Sequence, residues 1–241
     1  AVSYFMVQNR MRVLIEASIY NPGETIRDLM LRLRSVPPFF KEKTVLIDRV
    51  APGERRDASE LLEPELDPSG MADASVRFPS VLTLTAEDRD GFVLAECRTS
   101  IDVLPFDHWP GISIPESVAA FAVPNSESLV KVRSVASDIL KEWGLNPSLE
   151  GYQGDRDRVL QMGAAVFKAL EQLNINYVNP PVDFEKSGQR IRLPDEVLLS
   201  HEGTCIDLAI LYASALESFG LNTLICITHG HAFAAFWLED D

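Results

Sequence analysis

The chain has 241 residues, of which 46% are hydrophobic, so it can bury one large core or two modest ones. Its 22 basic and 36 acidic residues give a net charge of −14, which disfavours contact with a phosphate backbone. We therefore expect two domains, and no direct binding of nucleic acid by this segment.

Cysteine content and hydropathy bear on the compartment. The three cysteines, Cys97, Cys205 and Cys226, are odd in number and widely spaced, unlike the disulfide framework of a small secreted protein. No apolar run reaches the roughly 18 residues of a membrane helix, and no signal-peptide pattern is present. We expect a cytoplasmic setting without membrane contact, and structural roles for Cys97 and Cys226. Because the chain starts at Ala1 and stops just after an apolar strand, we expect it to be a piece of a longer protein.

Short apolar runs and alternating patterns predict β-strands up to Leu104. The predicted strands cover residues 12–20, 28–33, 44–50, 75–85 and 92–104. Turn-forming Pro, Gly, Asn and Asp residues separate them, with no helix between. Closely spaced strands of this kind predict an antiparallel β-sandwich of immunoglobulin-like type over residues 1–106.

Helical spacing replaces the strand pattern after a Trp-Pro-Gly segment at Trp109, and the second domain is predicted to cover residues 107–241. Helices are expected at 115–122, 126–143 and 155–173. Residues 176–194 are rich in Pro, Asn and Gly and predict an irregular segment, which is typical of a cleft wall. Gln189 within it is interpreted as a polar loop residue, with an oxyanion donor as the alternative.

Cys205 lies at the predicted start of an apolar helix. Thr204 and Asp207 have the spacing of a capping box, so Thr204 is the predicted N-cap and Cys205 the first helical residue. A cysteine at a helix N-terminus gains thiolate character. Asp207 is turned about 200° from Cys205 around the helix, so it is interpreted as a cap and dipole partner and not as a catalytic acid. Gly220 is expected to end the helix.

Element lengths predict which residue returns to Cys205. The helix from Cys205 to Phe219 would be about 22 Å long, and an extended strand over 222–228 would be about 23 Å long. An antiparallel strand packed on the helix would therefore bring His229 and His231 back to the helix N-terminus. A histidine beside a cysteine can act as its base or ion-pair partner, which indicates a cysteine nucleophile site. A further strand is expected over 231–238.

The Gly-Thr-Cys-Ile-Asp-Leu-Ala sequence at 203–209, the helix end Phe-Gly-Leu at 219–221 and Gly-His-Ala-Phe at 230–233 resemble the core of transglutaminase-like cysteine enzymes, relatives of the papain-like fold. The resemblance covers residues 193–238 well. It implies an α+β domain in which a helix packs on an antiparallel sheet, with Cys205 as nucleophile and His231 as its partner.

The family also has an aspartate that orients the histidine, usually on the strand after the histidine strand. The chain stops before such a strand, so we expect the third residue to lie beyond residue 241. Asp240 and Asp241 are interpreted as a solvated tail.

A second resemblance spans most of the chain. The order of β-sandwich, Trp-Pro-Gly segment and helices, with Gly-Gln-Arg-Ile-Arg-Leu-Pro-Asp at 188–195, is similar to the N-terminal part of large bacterial helicase-related proteins that contain a domain of unknown function. This resemblance implies downstream helicase or nuclease modules as partners in the full-length protein.

Three functions follow as hypotheses. The first is cysteine-dependent acyl transfer on the amide bonds of a protein or peptide substrate, by protease, deamidase or transglutaminase chemistry, without a cofactor. The second is a catalytically inactive module for protein interaction. The third is zinc binding, for which four residues are possible ligands of suitable type although zinc motifs usually have tighter paired spacings, namely His201, Cys205, His229 and His231.

Overall fold

A computed structural model describes residues 1–8, 12–13, 15–72 and 74–240 of the chain. It contains both α-helices and β-strands, in agreement with the predicted α+β class. The chain forms two compact units, Ala1–Phe106 and Asp107–Asp241.

The first unit is built mainly from strands. They are β1 (Val2–Ser3), β2 (Ser18–Tyr20), β3 (Ile26–Val36), β4 (Lys43–Val50), β5 (Arg55–Asp57), β6 (Phe78–Glu87) and β7 (Val93–Leu104), with short helices α1 (Tyr4–Gln8) and α2 (Pro68–Ala72). One five-stranded sheet has the order β1-β7-β6-β3-β4 and is antiparallel except for the parallel pair β1–β7. Strands β2 and β5 form a separate antiparallel pair.

The period-two pattern predicted the long strands of this unit. Leu29, Leu31 and Leu33 of β3 are buried at alternate positions on one face, as the alternation requires. The strand expected over 12–20 is wrong for most of its length, because only Ser18–Tyr20 is a strand, and residue 14 lies outside the described residues. Arg12 in that stretch forms an ion pair with Glu63 instead. The strand β5 has three residues and was not predicted, because it is too short for a periodic signal.

The second unit is built around helices. Its helices are α3 (Leu129–Glu142), α4 (Arg156–Gln172), α5 (Phe184–Ser187), α6 (Pro194–Ser200) and α7 (Cys205–Glu217), with 3₁₀ turns at Pro115–Phe121 and Gly151–Gln153. Its strands are β8 (His108–Trp109), β9 (Asn176–Tyr177), β10 (Gln189–Arg190), β11 (Glu202–Gly203), β12 (Thr223–Thr228) and β13 (His231–Phe236). Helices α3 and α4 match the expected positions, while the helix expected at 115–122 is a 3₁₀ turn.

Helix α7 lies at the centre of this unit. One side of it contributes Leu211, Ala215 and Leu216 to a core shared with α3 and α4. The other side contributes Ile206 and Ile210 to a second cluster with Trp109 and Phe184. A helix surrounded by apolar neighbours needs an apolar sequence on nearly every side, which explains its composition.

The segment expected to be irregular has short regular elements. Strand β9 pairs with β11 in parallel, strand β10 pairs with β8 in antiparallel fashion, and α5 lies between β9 and β10. These elements are two to four residues long. Their pairing fixes residues 176–190 next to the N-terminus of α7, so the segment contributes to the site described below.

Candidate functional site

The capping box at the start of α7 is present as predicted. Thr204 Oγ1 accepts a hydrogen bond from the backbone N–H of Asp207 at 3.4 Å, and Asp207 Oδ2 accepts one from the N–H of Thr204 at 2.9 Å. Cys205 is the first helical residue. Its sulfur is therefore held at the end of the helix where backbone N–H groups are unpaired and the dipole is positive.

Asp207 is engaged away from the thiol. Its side chain is fully buried, and it also accepts hydrogen bonds from the backbone N–H of Arg192 at 2.9 Å and from Arg192 Nη1 at 3.2 Å. A carboxylate with this many donors serves as a structural anchor for the helix start. Its geometry agrees with the role of cap and dipole partner inferred from the sequence.

Cys205 and His231 line the same cleft, which has a volume of about 650 Å³. Strands β12 and β13 form an antiparallel hairpin in which Thr228 pairs with His231, and both strands pack on α7. The hairpin turn contains Gly230 in the left-handed region at φ 70°, which suits glycine. The path of helix and strand therefore returns the histidine to the end of α7 that carries the cysteine.

The two side chains differ in exposure. Cys205 is a free cysteine that is only 4% exposed, whereas His231 is exposed at the cleft rim. The His231 ring is stacked near the ring of Phe233, with 6.5 Å between the centroids, and has no hydrogen-bond partner among the residues that the structure describes. Asp240 accepts a hydrogen bond from Asn222 Nδ2 at 3.2 Å, and Asp241 lies outside the described residues.

Tyr177 is a site residue that sequence reasoning missed. Parallel pairing of β9 with β11 places Tyr177 opposite Gly203, and Tyr177 also lines the cleft of Cys205. Desolvation raises the pKa of the Tyr177 hydroxyl, and the neighbouring Cys205 raises it further. The hydroxyl therefore keeps its proton and can donate it in a hydrogen bond. No sequence signal reveals this contact, because it depends on a two-residue strand pairing.

Gln189 is buried beside the helix cap. Its Nε2 donates to Thr204 Oγ1 at 2.9 Å, while its Oε1 has no partner among the described residues. It lines a separate cleft of about 380 Å³, together with Val178, Pro180 and Arg192. Its amide is therefore bound to the cap of α7, and it is not among the residues that line the cleft of Cys205 and His231.

The four residues considered for zinc do not come together. His229 Nδ1 is bound to Glu185 Oε1 at 2.9 Å, and His201 Nδ1 is bound to the carbonyl oxygen of Leu173 at 2.9 Å. Within the described residues, no group of three or more His, Cys, Asp or Glu side chains is arranged to hold a metal ion. The zinc hypothesis therefore has no geometric support.

No protein-family model matches the chain, and a search of curated proteins finds no significantly similar sequence. In the part of the chain that the structure describes, none of the helices has both the length and the apolar character needed to cross a membrane.

Proposed function

We propose that the second unit is a transglutaminase-like domain that performs acyl transfer on amide bonds through Cys205 and His231. The observation that carries this proposal is their shared cleft, with Cys205 at the first position of a capped helix. A nucleophile activated by a helix N-terminus and a neighbouring histidine is the usual arrangement of a cysteine enzyme.

The reaction has two steps. In the first, the Cys205 thiolate attacks the amide carbonyl carbon and forms a C–S bond, and the carbonyl oxygen takes up the negative charge. Backbone N–H groups at the start of α7 can stabilise that oxygen. The C–N bond then breaks as His231 gives a proton to the departing amine. In the second step, water or another amine attacks the thioester carbonyl carbon, His231 accepts its proton, and the C–S bond breaks to release the acyl product and the Cys205 thiolate.

Tyr177 has a supporting role in this proposal. Because its hydroxyl remains protonated, it can donate a hydrogen bond to the Cys205 sulfur and favour the thiolate. Tyr177 also lines the cleft, where its side chain can contact the substrate.

The cleft favours a protein or peptide segment with an apolar side chain. Most of its lining is apolar, including Phe167, Leu170, Leu208 and Phe233, and Glu171 is the acidic residue in that lining. An acidic side chain placed there would lose hydration and meet a like charge. We propose a substrate whose apolar side chain occupies this cleft next to the reacting amide.

The proposed arrangement of the whole chain is an immunoglobulin-like β-sandwich followed by this domain. It rests on the spacing of the strands and on the sequence resemblance, as does the link to bacterial helicase-related proteins. The large antiparallel sheet β7-β6-β3-β4 is compatible with it. The second sheet of such a sandwich would have to include β2 and β5, which form a separate pair.

Alkylation by iodoacetamide tests the proposal, with mass spectrometry to measure modification at each cysteine. We expect Cys205 to react at pH 6.5 and the His231→Ala variant to react at least about tenfold more slowly there. Cys226 is an internal reference, because it is a partly exposed strand cysteine. A Cys205 that is inert, or that reacts at the same rate in His231→Ala, would exclude the enzymatic proposal.

The alternative is a catalytically inactive interaction module. Two observations favour it: the Cys205 side chain is only 4% exposed, and the His231 ring has no hydrogen-bond partner among the described residues. Peptide-amide turnover separates the two functions. Turnover that disappears in Cys205→Ala supports the enzyme, whereas no turnover combined with an inert Cys205 supports the interaction module.

A further inference from the structure

Strand β7 has a long unpaired edge. It pairs with β6 along one side, while on its other side β1 contacts only Val103 and Leu104. Residues 93–102 therefore have no strand partner on that side among the described residues. Residues 93–100 are all exposed, including Val93 and Leu94, which are 56% and 49% exposed. An edge of this length, with apolar residues, is a template for pairing with another strand.

The sequence of this edge is self-complementary in charge. Glu96 and Arg98 lie on either side of Cys97, and they form an ion pair with each other in the monomer at 2.6 Å. We propose that β7 pairs antiparallel with β7 of a second copy of this chain, with Cys97 opposite Cys97 at the two-fold axis. Each Glu96 is then opposite the Arg98 of the other copy, so two cross-strand ion pairs form.

The register follows from the same charges. If one β7 strand slid along the other by two residues, Glu96 would lie opposite Glu96 or, in the other direction, Arg98 would lie opposite Arg98. If one strand slid by a single residue, the core face of one sheet would be continuous with the outer face of the other. Of these registers, the pairing centred on Cys97 is the one that keeps the faces aligned and places Glu96 opposite Arg98.

The length of the paired stretch in this register matches the unpaired edge of β7. In this register Val93 is opposite Ile101 and Phe92 is opposite Asp102, so the paired stretch ends where β1 occupies the edge at Val103. The pairing joins two five-stranded sheets into one of ten strands. It also places β7 of the second copy beside Val93 and Leu94, which are exposed in the monomer.

Cys97 provides a direct reporter of this register. It was expected to be a structural cysteine, but it is free and exposed. Directly opposite residues of an antiparallel pair have Cα atoms about 4.5–5.5 Å apart, within the range of a disulfide. Mild oxidation of the proposed dimer should therefore join the two Cys97 residues.

The test uses the 241-residue chain with Cys205→Ser and Cys226→Ser, so that Cys97 is the remaining thiol. Sedimentation equilibrium measures the dimer dissociation constant, and diamide oxidation followed by non-reducing electrophoresis measures the Cys97 cross-link. We expect a concentration-dependent dimer and a covalent dimer that is absent in Cys97→Ser.

Charge reversal provides the specific control. Arg98→Glu places two pairs of like charges across the interface, so we expect the dissociation constant to rise at least about tenfold. The double change Glu96→Arg with Arg98→Glu restores opposite charges and should restore both the dimer and the cross-link. Circular dichroism verifies that each variant is folded.

Three results would overturn the proposal. The first is a monomer at all concentrations without cross-linking at Cys97. The second is a dimer that Arg98→Glu does not weaken. The third is a double charge-reversal variant that is folded but does not form the dimer. Because the proposal concerns the first unit alone, its outcome is independent of the proposed enzymatic function.

Discussion

The Nδ1 atom of His229 lies 2.9 Å from Oε1 of Glu185, and this contact ties the tip of the β12–β13 hairpin to helix α5. Glu185 is buried, and its carbonyl oxygen accepts a hydrogen bond from the backbone N–H of Ile112 at 2.6 Å. His229 is two residues from His231. The anchored glutamate therefore limits the movement of the hairpin that carries the proposed catalytic histidine.

Replacement of Glu185 by glutamine should make the second unit less stable in a pH-dependent way. A backbone N–H and then His229 lower the pKa of the Glu185 carboxyl below its usual value. A lowered pKa stabilises the folded state above the pKa of the unfolded chain, and this contribution is lost as the pH falls through the folded-state pKa. We expect Glu185→Gln to lower the midpoint of thermal unfolding at pH 7 by a few degrees and to have little effect in acid.

Tryptophan fluorescence measures the thermal unfolding of the second unit, because this unit contains all three tryptophans, Trp109, Trp143 and Trp237. Glu202→Gln is a matched control, since Glu202 is exposed and has no ion pair among the described residues. An equal loss of stability at pH 7 and at pH 4 would contradict the prediction.

The helix cap should be a major source of stability for α7. Thr204→Val removes the N-cap acceptor, which costs about 1 kcal/mol, and leaves the buried Gln189 amide without its partner, which costs about 1–3 kcal/mol more. We expect urea unfolding, followed by tryptophan fluorescence, to show a loss of about 2–4 kcal/mol. Thr204→Ser retains the hydroxyl and should lose much less. A loss in Thr204→Ser as large as that in Thr204→Val would contradict the prediction, because serine keeps the hydroxyl that valine lacks.

Two adjacent alanines of β13 offer a test of the cleft. Ala234 lines the cleft of Cys205, whereas Ala235 is not part of its lining. Leucine at position 234 would occupy space that the proposed substrate side chain needs. We therefore expect Ala234→Leu to raise KM for apolar peptide amides at least about tenfold. Ala235→Leu should leave KM nearly unchanged, and equal effects of the two changes would contradict the proposed substrate position.

Helix α7 and its neighbours show what sequence can predict. The capping residues Thr204 and Asp207 fix the start of the helix, and Gly220 follows its end. Helix and strand lengths then predict that His231 returns to the Cys205 end. These features could be derived because capping chemistry and regular rise per residue are local properties.

Tyr177 and Gln189 could not be assigned in the same way. Each lies on a two-residue strand whose partner is distant in sequence, so their positions depend on tertiary pairing that leaves no period in the sequence. The exposed edge of β7 was also missed, because the alternation that predicts a strand does not reveal which of its sides has a neighbour.

The last prediction concerns the packing of α4 on β13. A Cβ atom at Gly163 would lie 2.3 Å from Cζ of Phe236, so alanine forces this ring, which has an edge contact with Tyr212, to move. Alanine gains about 1 kcal/mol of helix propensity, whereas overpacking costs about 1–3 kcal/mol. We expect Gly163→Ala to reduce stability by about 1 kcal/mol in urea unfolding.

In a Phe236→Leu background the smaller side chain leaves room for the new methyl group. There, Gly163→Ala should stabilise the unit by up to about 1 kcal/mol, so the sign of the effect reverses. Ala164→Gly, at the exposed neighbouring position of α4, calibrates the helix propensity in this helix. Equal destabilisation by Gly163→Ala in both backgrounds would contradict the prediction. It would show that contact between the new methyl group and Phe236 does not cause the loss of stability.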